Sequence, residues 1–346
     1  MPMLLLPSFR RFHKNSPPYK FFDFSLPREY FFKGPLNPGH DSKKARGGEE
    51  WAMYLKHTNI KGVFIKPVKG IIWDEDGTLI NSAEHQYHWL AHAAKTFKGH
   101  FPFTQFDRQF LDIYNSTLAQ KNMQGLYDLI EVKFSAQEKE IWAEYIRYNQ
   151  DNTPELIKGI KEAITCIRNE TSPREWCATG LRHAISTTKD YASAIRPLHS
   201  GGIVDFFDTI STKTQAYQIA FNGMSKKKNI AYDDFDELRK YVPEEMVRHL
   251  EKPNGFINQI ALAGLGLPAS NVIAIEDDAR GVRSFKGLWT AQGQTNLYVV
   301  GVTWGFEPDA QKLLDAGADA IANKPSDLIH IVRRLSTFPW RAKKNT

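Results

Sequence analysis

An open parallel α/β sheet with helices on both faces, carrying a separate all-helical segment, is the fold class this sequence predicts. Three observations lead there. Two apolar, β-prone runs, Ile71–Trp73 and Val272–Ile275, each end abruptly in three consecutive acids, Asp74-Glu75-Asp76 and Glu276-Asp277-Asp278. Continuous apolar character, rather than alternation, suits strands covered on both faces of a parallel sheet. Between the two runs, from Ser82 to about Asn169, apolar residues recur at three- and four-residue spacing, the period of helices packed on one another.

The first run sets the site. Asp and Gly are poor strand formers, so Asp74 to Gly77 ends the strand in a turn. Carboxylates then lie at the carboxyl end of a strand, where open α/β sheets bind ligands. Same-parity residues of an extended chain share a face, so Asp74 and Asp76 address one point while Glu75 points elsewhere.

The helical block, 83–169, follows directly and reads as a lid over those acids. Ser82 is placed to cap its first helix, which holds Ala83, Tyr87, Leu90, Ala91 and Ala94. Further helices are expected over Phe106–Tyr114, Leu118–Phe134 and Gln137–Tyr148, the last with Ser135 and Glu138 as a capping box, and again from Pro154. His88 and His92 are one turn apart, but with no third ligand in sight they are read as surface residues.

The chain returns to the sheet at His183–Ser186, a short strand ending in Thr187-Thr188-Lys189 before a helix over Tyr191–Leu198. A hydroxyl there, beside the amides of a first helical turn, can hold a phosphate oxygen, or Ser/Thr can serve as an ordinary cap. Residues 213–250 form a polar insert with Lys226-Lys227-Lys228 and four clustered acids, lacking the pattern of a calcium loop. Two short helices, Asp234–Tyr241 and Pro243–Leu250, are expected within it. Lys252-Pro253 then precedes a helix to about Leu265, and Ala279 opens another after the second acidic run. Acids from two adjacent strands repel one another unless a cation joins them, and carboxylates, waters and a phosphate are what Mg²⁺ takes.

Charge narrows the function classes. The net charge of +6 resides in residues 1–46, which hold nine Lys/Arg against three Asp/Glu, so the body is neutral and offers no electrostatic case for nucleic acid. Seven of the eighteen prolines also fall there, interleaved with Phe, Arg and Lys, and residues 1–66 are read as an extension without chemistry. No apolar run is long enough to cross a bilayer. Cys166 and Cys177 form neither a disulfide framework nor a metal-ligand pattern, which fits a reducing compartment. A cytoplasmic location is expected, ahead of an organelle presequence that the prolines would break.

In this order the blocks resemble the haloacid dehalogenase-like hydrolase superfamily, in its helical-cap branch that includes phosphoglycolate phosphatase-like and β-phosphoglucomutase-like members. Asp74 to Leu79 stands for the first motif, D-x-D-G-T-L. Thr187 stands for the second, Lys252-Pro253 for the third, and Glu276 to Gly281 for the fourth. Val299 to Phe306 and Ala316 to Ala320 resemble the subgroup's tail. The resemblance implies a Rossmann-like core over 67–82 and 170–340. It implies Asp74 as the nucleophile that forms an aspartyl phosphate and Asp76 as the general acid and base. It implies Thr187, Thr188, Lys252 and Gly77 as phosphate ligands, and Mg²⁺ held by Asp74, Asp76 through its carbonyl, Asp277 and Glu276. A small phosphorylated metabolite, of phosphoglycolate or sugar phosphate type, is the implied partner. The acid two residues after the nucleophile favours phosphorus over carbon as the centre attacked. Glu75, usually apolar in the family, and Asn81, usually Asp, depart from the pattern. Two alternatives stay open. One is a phosphosugar mutase, although the cap position where that mutase carries His is Gln86 here. The other is a non-enzymatic binding protein on the same fold.

Overall fold

The structure is a computed structural model, and it describes residues 68–170, 180–224, 238, 240–242, 250, 252, 254–290, 293–294 and 297–336. The leader 1–66, Cys177 and the residues after Ser336 lie outside these. So do most of the two helices expected within 234–250.

The chain order is β1 (Gly70–Trp73), α1 (Ser82–Thr96), α2 (Arg108–Leu129), α3 (Phe134–Asp151), α4 (Ile160–Glu170), β2 (Arg182–Ser186), α5 (Tyr191–Ser200), β3 (Thr209–Ser211) and α6 (Lys213–Met224). It continues with α7 (Phe256–Leu265), β4 (Val272–Glu276), α8 (Ala279–Lys286), β5 (Trp289–Thr290), β6 (Gly293–Gln294), β7 (Tyr298–Val302), α9 (Ala310–Asp315), β8 (Ala320–Ala322) and α10 (Pro325–Ser336). Six strands form one sheet in the order β3-β2-β1-β4-β7-β8, every pair parallel. β5 and β6 make a small antiparallel ribbon apart from it.

β1 is central because its four residues are buried throughout. It pairs with β2 through Ile71–His183 and Trp73–Ile185, and with β4 through Ile71–Ile273 and Trp73–Ile275. The period of two then sorts the core. Ile71 and Trp73 pack with Ile185, Ile273 and Ile275 under α4 and α10, whereas Ile72, Ala184 and Ala274 face α7 and α8. Each fully buried aliphatic side chain contributes ~1.5–3 kcal/mol, so the strands are fixed in register by both faces at once. After β1 the chain winds outward through β2 and β3, then returns to β4 on the other side and winds out through β7 and β8. The reversal falls between β1 and β4, and ligand crevices of such sheets open there, beyond the carboxyl ends of the strands.

α1, α2 and α3 bury a core of their own, rich in rings: Tyr87, Trp89, Phe110, Tyr114 and Tyr127 are all buried in it. The predicted break between Tyr114 and Leu118 does not occur; α2 runs through it from its cap Asp107, whose carboxylate accepts the Phe110 amide. In α3 the helix starts at Phe134, without the Ser135 capping box, and kinks at Gln137 where φ is −129°.

Pro154 does not start a helix either. The stretch 154–157 is extended: Asn81 N donates to Glu155 O at 2.8 Å and Ile157 N to Leu79 O at 2.9 Å, so the connectors into and out of the helical layer run side by side. α4 begins after Gly159, whose φ of +86° suits glycine. By packing, α4 goes with the sheet, since Ile160, Ile164 and Ile167 lie in the cluster under β1. The insert is less detached than its polarity suggests: Leu238, Val242 and Leu250 are buried against α6 and α7. No helix among the described residues is long and apolar enough to cross a membrane.

Candidate active site

Asp74 follows the last residue of β1 and is fixed there by its amide, which donates to Ile275 O at 2.9 Å. Gly77 then turns the chain back with φ of +78°. That turn is tight on the inside as well, because a Cβ at Gly77 would lie 2.1 Å from Asp277 Oδ2. The next strand end supplies Glu276 and Asp277, both buried, and carboxylate oxygens of Asp74, Glu276 and Asp277 all lie within 4.8 Å of one another.

Lys252 reaches this cluster from the turn before α7. Its Nζ donates to Asp74 Oδ1, and to Glu276 Oε2 at 2.7 Å. Burial would depress the Lys252 ammonium, but Asp74 and Glu276 outweigh that and hold its pKa above the usual lysine range. Asp74 is raised above the usual carboxylate range by burial, against the pull of Lys252. Glu276 is raised by burial and by Asp74, and Asp277 well raised by burial, Asp74 and Glu276. Two of the three buried acids share one lysine and the third, Asp277, is not bonded to it, which leaves the cluster short of positive charge. An all-oxygen donor set of this kind suits a hard divalent cation, and relief of that repulsion is what such an ion would supply.

Asp277 is also bound in place. Its Oδ2 accepts the Phe306 amide at 2.6 Å, and the Thr78 hydroxyl lies 3.5 Å from its Oδ1. Gly305 lies against the same carboxylate: a Cβ there would sit 2.1 Å from Asp277 Oδ2 and 2.5 Å from Gly77 O. Glu276 Oε1 faces the amides of Asp277 and Asp278 at 3.2 Å each. Asp278 caps α8 by accepting the Arg280 amide at 2.6 Å and binds the Arg280 guanidinium.

Asp76 is the predicted site residue whose side chain leaves the triad. It turns towards β2 and α1, where Lys189 Nζ lies 2.6 Å from its Oδ1 and the Ser82 hydroxyl donates to the same oxygen. Ser82 is therefore not the cap expected of it; Asn81 holds the cap position, with no side-chain cap bond to the helix. Thr187 is buried at the end of β2, next to the half-buried Thr188, and its hydroxyl accepts the Lys189 amide at 3.3 Å. The cap over α5 is Asp190, accepting Ser193 N at 3.0 Å, so Thr187 is free of that duty.

Two groups had drawn no role from the sequence. Lys189 binds Glu75 Oε1 at 3.0 Å as well as Asp76, and so accounts for the unusual acid at 75. Burial pushes the Glu75 carboxyl up to about 8, against the opposing effect of Lys189. Phe306 joins the layers: its amide holds Asp277, its carbonyl accepts from Asn115 of α2 at 2.6 Å, and its ring stacks on Tyr114 at 5.8 Å.

The histidines of α1 do not converge on an ion. His85 pairs with Asn149 and His92 with Glu144, each at 2.8 Å, and His88 is exposed. Among the described residues, Asp74, Glu276 and Asp277 are the one group of three or more such ligands placed to hold a metal.

Comparison with known proteins points the same way as the motifs. Residues 71–231 match the model of the haloacid dehalogenase-like hydrolases. No curated protein matches the chain. Similar solved structures include a candidate β-phosphoglucomutase from Thermotoga maritima, 18% identical, with TM-score 0.51 over 77% of this chain and 99% of that one. A haloacid dehalogenase-like family hydrolase from Streptococcus pneumoniae is 18% identical, with TM-score 0.50 over 76% of this chain and 98% of the other. A predicted phosphoglycolate phosphatase from Haemophilus somnus is 16% identical, with TM-score 0.51 over 77% and 99%. At these identities the likeness speaks for the fold.

Proposed function

We propose that this chain, residues 71–231 of which match the haloacid dehalogenase-like hydrolases, is a Mg²⁺-dependent phosphatase of a small phosphorylated metabolite. The observation that carries this reading is Asp74 at the switch point of the sheet, ringed by Lys252, Glu276 and Asp277, with a second acid, Asp76, two residues on. Asp74, Glu276 and Asp277, with the Asp76 carbonyl, are the residues that would hold Mg²⁺; the ion supplies charge neutralisation that lets a phosphate approach so many acids.

Asp74 attacks phosphorus in line and forms an aspartyl phosphate as the ester P–O bond breaks. Asp76 gives its proton to the departing oxygen and then takes one from the water that hydrolyses the acyl phosphate. Lys252, already between Asp74 and Glu276, faces the charge on the phosphoryl oxygens, and Thr187, Thr188 and the turn at Gly77 offer hydrogen bonds to them. A helical layer joined by two adjacent connectors can shield the site from water.

The test is phosphate release from p-nitrophenyl phosphate and a panel of phosphometabolites. Release should require Mg²⁺, stop with EDTA, and fall by ~10⁴-fold or more in Asp74→Asn, as expected when a covalent nucleophile is removed. Equal inertness of wild type and variant across the panel would defeat the reading. Interconversion of sugar phosphates with little free phosphate would point to a mutase instead, a reading that Gln86, bonded to Tyr145 Oη at 3.3 Å, does not favour.

A further inference from the structure

We propose that Lys189, anchored by Glu75, is a positioning residue that aims Asp76 at the leaving-group oxygen; the proposal rests on the phosphatase reading above. Asp76 sits beyond the strand end, in a turn, with a side chain about a third exposed. Left alone, such a carboxylate samples several rotamers. Two donors from different elements converge on its Oδ1, the Lys189 ammonium from the end of β2 and the Ser82 hydroxyl from α1, leaving Oδ2 as the oxygen without either of them.

Lys189 is itself immobilised. Its amide donates to Thr187 Oγ1, its carbonyl accepts Lys213 N at 2.9 Å, and its ammonium is tied to Glu75 Oε1 at 3.0 Å. Glu75 is the fixed end of this chain of contacts, being fully buried beside the central strand. A buried acid left without partners is costly, and the Lys189 ammonium is a partner that Glu75 has here. The acid between the two aspartates therefore has a structural reason: it holds the lysine that holds Asp76.

In the step concerned, a bond forms between Asp74 and phosphorus and the ester P–O bond breaks. The electron pair stays on the leaving oxygen, which takes the proton from Asp76 Oδ2. Misplaced, Asp76 fails at that transfer, and the failure matters only when the leaving group is too basic to depart unprotonated. The quantity that reports it is kcat/KM, which covers the steps through loss of the leaving group.

The experiment compares the Mg²⁺-loaded, full-length chain with Lys189→Met on aryl esters such as p-nitrophenyl phosphate and on alkyl esters such as glycerol phosphate. General-acid contributions run to 10²–10⁴-fold, so Lys189→Met should lose ~30–100-fold in kcat/KM on alkyl esters and only ~3-fold on aryl ones. Lys189→Arg should recover part of the alkyl rate. Because Lys189→Met alone leaves the buried Glu75 without its lysine partner, Glu75→Gln with Lys189→Met is the companion variant. It should fold at least as well as the single variant and show the same steep dependence on the leaving group. Equal losses on both ester classes in a folded variant would overturn this proposal alone. A wild-type chain that hydrolyses neither class would overturn it together with the phosphatase reading.

Discussion

The carboxyl ends of β1 and β4 lie side by side, and each presents three consecutive acids, yet they are held by different kinds of partner. At β1 the acids meet ammonium groups on four-carbon stems: Asp74 meets Lys252, and Glu75 and Asp76 meet Lys189. At β4, Glu276 shares Lys252 but also faces two backbone amides, Asp277 accepts the Phe306 amide, and Asp278 caps a helix. The flexible stem of Lys252 lets its ammonium turn from Asp74 towards another anion, whereas a backbone amide is held by the turn or helix it belongs to. Asp74 can thus exchange its lysine for another partner, Asp76 is kept aimed by the anchored Lys189, and the β4 acids are held by backbone.

The strongest way to break this comparison is Asp277→Asn. On the phosphatase reading proposed above, the variant should keep its fold yet need at least ~100-fold more Mg²⁺ for activity, beyond the 10–100-fold typical of groups that support a metal ligand. Burial, Asp74 and Glu276 raise the Asp277 pKa, so its charge is a liability without a cation. In EDTA the variant should therefore melt a few degrees higher, at ~2–4 °C per kcal/mol for a chain of this size. A lower melting point with unchanged Mg²⁺ demand would show the two strand ends to be alike.

A second test addresses what stands behind β1. Trp73, just before Asp74, donates Nε1–H to His183 Nδ1 at 3.1 Å, and the His183 ring is fully buried with no hydrogen bond to Nε2 among the described residues. Burial, with a smaller push from Arg168, lowers its pKa from 6.5 to about 3. Between those values the unfolded chain binds a proton that the folded chain does not, so stability falls as pH falls through this window. The slope from this one group approaches ~1.4 kcal/mol per pH unit. Denaturant melts at pH 7 and pH 5 should show it, and His183→Phe should flatten it. The smallest effect expected is that of Asp278→Ala, which removes a helix cap and should cost ~1 kcal/mol while leaving the Mg²⁺ demand near wild type. A large change in that demand would give Asp278 a place in the site that its bonds to Arg280 do not suggest.

Much of this was legible in the sequence because strand ends announce themselves. Apolar runs cut short by acids located Asp74, Glu276 and Asp277, and Lys252-Pro253 stood out by its turn. Lys189 carried no such signal, since its partner Glu75 is 114 positions away and pairs with it only once β2 lies beside β1. Ser82 was misread for a related reason. A serine before a helix has a cap's chemistry, and only the fold brings Asp76 close enough to claim its hydroxyl first. The extended stretch 154–157 was likewise decided by a neighbour, the outgoing connector at Leu79–Asn81, rather than by its own propensity.

Gly281 shows how such a site constrains the helix beside it. A glycine inside α8 is a poor helix former, and alanine would ordinarily gain ~1 kcal/mol there. Yet a Cβ at 281 would fall 2.0 Å from Glu276 Oε2, the oxygen that Lys252 holds. A side chain at 281 would therefore have to push the Glu276 carboxylate off Lys252, so the glycine in the helix keeps the acid in the site. The helix forgoes that propensity so that an acid from the neighbouring strand can lie across its first turn.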